Sequence, residues 1–128
     1  MLAALHKSLS EVLETEQQQG WLALFARPSF PLRGYGSRRI GKLMPNGELQ
    51  FSIGATALGT KRRHNETIEL IIRSEGVPLL DRESTSGSRN SEGHYPAFQA
   101  ADLPVLQVLR IVHLVEGAAL QGSGNSDN

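Results

Sequence analysis

The sequence predicts an α+β domain: an N-terminal helix, an antiparallel sheet of about four to five strands, and a C-terminal helix packed on the sheet. Three observations predict it. Apolar residues recur at three- and four-residue steps near both ends of the chain, short alternating segments lie between them, and turn residues punctuate those segments. At 128 residues with 39% hydrophobic content, the chain has enough for one core. That core is expected within residues 1–120, with a flexible loop at about 81–96 and a disordered tail at 121–128.

Residues 2–19 read as an amphipathic helix. Leu2, Leu5, Leu9, Val12 and Leu13 fall on one side, Lys7, Ser8, Glu11 and Glu14 on others, and Gly20 follows where a left-handed C-cap is wanted. Trp21 to Ala26 is a short apolar run, read as a buried strand that Pro28 and Pro31 end. The glycine-rich stretch from Arg33 to Arg39 is expected to be a loop. Pro45-Asn46-Gly47 is strong turn chemistry, because Asn and Gly tolerate positive φ. After the turn, Leu49, Phe51 and Ile53 alternate with Glu48, Gln50 and Ser52, so residues 48–53 should pair back on 38–44 with one face buried. Phe51 is expected in the core.

Residues 54–65 read as a second loop, ending in Lys61-Arg62-Arg63-His64. Thr67 to Arg73 is expected to be a strand with Ile68, Leu70 and Ile72 inward, and Ser74-Glu75-Gly76 a tight turn into an edge strand over Val77–Leu80, where Pro78 cannot donate to a ladder. Residues 81–94 contain no aliphatic or aromatic side chain and cannot bury enough surface to offset their ordering entropy. The last element is a helix over about 100–116, with Asp102 as N-cap and Pro104 in the first turn. Val105, Val108, Leu109, Ile111, Val112 and Val115 make one apolar face. Leu103, Leu106 and Leu114 lie on the other, so the helix should be covered on two sides, by its own sheet and by the first helix or a second copy of the chain. A homodimer through residues 100–116 is the reading favoured.

The chain has no cysteine, which excludes disulfides and thiolate metal sites and fits a cytoplasmic protein. Met1 to Leu9 lack the pattern of a signal peptide, and no apolar stretch approaches the roughly 20 residues that span a bilayer. Asn65-Glu66-Thr67 matches a glycosylation acceptor by chance. No cofactor or metal is expected: His6, His64, His94 and His113 are scattered, with no metal-ligand spacing. Gly54-Ala-Thr-Ala-Leu-Gly59-Thr60-Lys61 has the glycine spacing of a phosphate-binding loop. Its last two residues are in the wrong order, however, and it is expected to lead into a strand rather than the helix such a loop needs. No nucleophile elbow occurs, and the carboxylate pairs Glu14/Glu16 and Asp81/Glu83 read as solvated surface. The chain is expected not to be an enzyme.

Charge is the informative feature. Net charge is zero, yet residues 21–63 hold eight basic side chains against one acid, net +7, and the rest of the chain holds five against twelve, net −7. Such asymmetry points to polyanion contact unless acidic elements neutralise the basic segment internally. Aromatics are interleaved with these cations, namely Phe25, Phe30, Tyr35 and Phe51. Single-stranded nucleic acid is bound by this combination, cations tracking phosphates while rings stack on bases.

The candidate binding residues are Arg33, Tyr35, Arg38, Arg39, Lys42, Lys61, Arg62 and Arg63, brought to one end of the sheet by the hairpin. Single-stranded DNA or RNA is favoured over duplex, since the C-terminal helix carries only Arg110 and would not enter a major groove. The alternative is a protein-interaction module (an adaptor, inhibitor or chaperone-like dimer) binding an acidic protein partner. In outline, antiparallel strands closed by a C-terminal helix resemble the small dimeric single-strand-binding domains of a transcriptional coactivator, though a shared outline does not carry function.

Overall fold

The computed structural model describes residues 2–25, 39–53, 61–80 and 95–118. In chain order they form α1 (Leu2–Val12), β1 (Glu14–Gln17), β2 (Leu22–Phe25), β3 (Arg39–Leu43), β4 (Glu48–Phe51), α2 (Lys61–Ser74), β5 (Ala97–Gln99), a 3-10 turn (Ala100–Asp102) and α3 (Val105–Glu116). The class is α+β, as expected. The sheet has five strands in the order β1-β2-β3-β4-β5, each antiparallel to its neighbours.

The hairpin forms as its turn chemistry dictates. Gly47 takes φ +92°, the Gly47 amide donates to the Met44 carbonyl at 2.9 Å, and the Asn46 side chain accepts from the Glu48 amide at 3.0 Å. Register across the sheet sets two faces. On one, Leu22 and Leu24 oppose Leu43 and Gly41, which oppose Leu49 and Phe51, and Leu49 opposes Phe98. This row joins Leu5 and Leu9 of α1, Ile68 and Ile72 of α2, and Val108, Ile111, Val112 and Val115 of α3 in one buried cluster. Each fully buried aliphatic or aromatic side chain contributes roughly 1.5–3 kcal/mol of transfer free energy. The other face runs Glu16, Ala23, Lys42, Gln50, Ala97 across all five strands. Every residue of β4 is buried, Glu48 and Gln50 included, so this strand has cover on both faces and not on one as its alternation predicts.

Four further expectations are corrected. The first helix stops at Val12, and residues 14–17 form an edge strand. Gly20, with φ +89°, lies in the β1–β2 turn, where the Gln18 amide donates to the Trp21 carbonyl at 2.7 Å, instead of capping a helix. Residues 67–73 are helical within α2, not a strand: Ile68 and Ile72, four apart, are buried, while Leu70 is 69% exposed. Residues 77–80 form no assigned strand and contribute one ladder-like bond, from the Leu80 amide to the Ala97 carbonyl, so the edge place is held by β5, a strand the sequence did not suggest. Asp102 sits in the 3-10 turn, and α3 begins after Pro104 with no side-chain cap. Residues 81–94 and 121–128, expected to be a loop and a tail, lie outside the described residues. No helix among the described residues is long and apolar enough to cross a membrane.

Close approach of β3 to β4 requires Gly41. A β-carbon there would overlap the Gln50 carbonyl oxygen and stand 3.2 Å from the Phe51 α-carbon, so only backbone movement could admit it. Gly41→Ala should therefore lower unfolding free energy by about 1–3 kcal/mol, the usual range for an overpacked interior. Gly20→Ala meets no atom within 4 Å and carries only the conformational penalty of its positive φ, about 1 kcal/mol. Equal losses in urea unfolding of the two variants would contradict this account of the β3–β4 contact.

Candidate nucleic-acid interface

Between Leu24 and Phe25 the β2–β3 register shifts: Leu24 faces Gly41, but Phe25 faces Arg39, leaving Ile40 as an extra residue. In a regular strand, positions 39 and 42 would point to opposite faces. The bulge changes the parity and brings Arg39 to the face that carries Lys42. Both then reach the same ring. The Arg39 guanidinium carbon lies 4.7 Å from the centroid of Trp21, and the Lys42 ammonium lies 5.4 Å from it.

Trp21 precedes β2 and is half-buried. Two cations three residues apart on β3 can share its ring only if the indole lies along the strands. The small side chain of Ala23, 1% exposed, leaves room for that. Cation–π contacts of this kind are worth about 0.5–1 kcal/mol at exposed sites. Arg39 makes further interactions within the fold.

The hairpin register also bears on the expected gathering of basic residues. Gly41 pairs with Phe51, and the Ser52 amide donates to the Ile40 carbonyl at 2.9 Å, so Arg39 stands where β4 leaves the sheet toward α2. Lys61, Arg62 and Arg63 are not in a loop, as expected, but occupy the first turn of α2, which contains no acidic residue. The Arg63 side chain is exposed. Arg33, Tyr35 and Arg38 lie outside the described residues. The sequence reading missed Trp21, which it placed inside a buried strand. The available signal was the small Ala23 two positions on and the cations of the next strand.

Residues 54–60 lie outside the described residues, but Lys61 opens a helix and not a strand, so that ground for rejecting a phosphate-binding loop falls. The reversed Thr-Lys order stands. β4, the strand before these residues, is antiparallel to both neighbours, whereas phosphate-binding loops follow parallel strands. Among the described residues, no three His, Asp or Glu side chains gather as a metal site would require.

Among the described residues, His64, buried in α2, has a displaced titration. Burial pushes its imidazole below the usual 6.5, and the Arg63 guanidinium pushes the same way. The unfolded chain thus takes up this proton at higher pH than the folded one. The resulting stability is fully present above 6.5 and is lost as pH falls through 6.5 toward the lower folded value. His64→Gln should remove that part of the pH dependence. Unfolding free energies of the two proteins with the same slope between pH 7.5 and 5.5 would show that His64 is not held neutral by the fold.

No family model, no curated protein and no solved structure matches the chain.

Proposed function

We propose that this protein is a non-enzymatic binder of single-stranded DNA or RNA. Its basic surface would run from Arg39 and Lys42 on β3 to the first turn of α2, with Arg33, Tyr35 and Arg38 from the segment between β2 and β3. The observation that carries the reading is the placement of Lys61, Arg62 and Arg63. A helix N-terminus carries a partial positive charge that favours acidic side chains, worth about 0.3–1 kcal/mol each at low salt. Three consecutive cations with no acid in that turn run against this preference. A phosphate backbone meeting them would receive their charge at the positive end of the helix. No base-specific readout is required, because phosphate contacts position a strand without reading it.

A second reading is a module for an acidic protein partner, which would meet the same cations of β3 and α2. The two separate on purification at low salt: co-purifying nucleic acid, removed by a high-salt wash, supports the first, and a stoichiometric acidic protein supports the second.

If the helix terminus is shaped for a polyanion, binding and stability trade against each other. Arg63→Glu should raise unfolding free energy by a few tenths of a kcal/mol at low salt. It should weaken binding to a labelled single-stranded oligonucleotide roughly threefold or more, whatever its sequence. Greater stability with unchanged affinity would remove the helix terminus from the interface.

A further inference from the structure

We propose that Trp21 is the base-stacking residue of this protein, with Arg39 and Lys42 holding the phosphates beside the stacked nucleotide. The inference rests on the single-strand reading above and names the contact by which bases, and not charge alone, would be bound.

The observations are local. Arg39 and Lys42 are like charges, and both lie within about 5.5 Å of one ring centroid, at 4.7 and 5.4 Å. The ring's quadrupole attracts both cations and holds them beside its face. The indole lies on the face opposite the apolar cluster, and its backbone is held in the β1–β2 turn by bonds to the Trp21 carbonyl from the Gln18 amide at 2.7 Å and the Gln17 side chain at 3.0 Å. The half-buried ring thus stands beside two cations on one face of the sheet. Stacking platforms for single strands have this composition.

Trp21 is the sole tryptophan of the chain, so the native protein reports on its own site. The experiment titrates the intact protein in 50 mM salt with labelled oligo-dT, following indole fluorescence and label anisotropy together, and repeats it with inorganic polyphosphate of equal charge. Fluorescence should be quenched in step with the anisotropy, polyphosphate should quench far less, and Trp21→Leu should weaken oligo-dT binding about tenfold, the effect of losing one stacked base. Trp21→Phe should recover part of that loss. Anisotropy that rises with no change in indole emission, or equal quenching by polyphosphate, overturns the role of Trp21 and leaves the single-strand reading standing. No rise in anisotropy overturns both. The native-protein titration decides the matter even if Trp21→Leu does not fold.

Discussion

Everything in this fold is arranged around a strand that can expose neither face. The apolar side chains of β4, Leu49 and Phe51, enter the helix-covered core, while Glu48 and Gln50 on its other face are equally inaccessible. Buried polar groups are tolerated when they are paired, and Glu48 and Gln50 both make interactions within the fold. The strand in turn depends on close contact with β3, which Gly41 permits by having no side chain at the Gln50 carbonyl. On the far side of β3 the bulge opposite Phe25 turns Arg39 onto the polar face, and the Trp21 indole lies over it and Lys42. The same ladder thus packs the core and gathers the cations.

The proposed interface is where local preference and architecture disagree. Apolar positions in α2 obey helical spacing, with Ile68 and Ile72 buried, and α3 presents Val108, Ile111, Val112 and Val115 to the same cluster. In those regions propensity, packing and burial point one way. The first turn of α2 does not: its three cations oppose the helix dipole. Two positive groups converge on one indole where a single one would do. Departures of this kind are expected at binding surfaces, since charges placed for a partner are seldom the ones that best stabilise the free protein.

The parts legible from sequence were those governed by local chemistry. Asn46-Gly47 determines the β3–β4 turn by itself, and the apolar face of α3 follows from its spacing. What escaped depends on partners distant in sequence. β1, Glu-Thr-Glu-Gln, has no hydrophobic alternation and is a strand because β2 offers it an edge. Ile68, Leu70 and Ile72 fit a period of two as well as a separation of four, and only Ile71, half-buried beside them, favours the helix. β5 is three residues long and is placed by Phe98 entering the core. In the interface, the basic composition was readable, but Trp21 was not, because a bulge decides which face Arg39 occupies and no periodicity foretells a bulge.

The central claim is that this positive charge is directed outward, to a phosphate backbone. Its most direct measurement is the affinity for a single-stranded oligonucleotide as a function of salt. With roughly four to six phosphates contacted at about 0.7 counterions each, log affinity should fall with log salt at a slope of roughly −3 to −4. A slope near zero, or no binding in 50 mM salt, would mean the basic segment serves the fold's own neutrality.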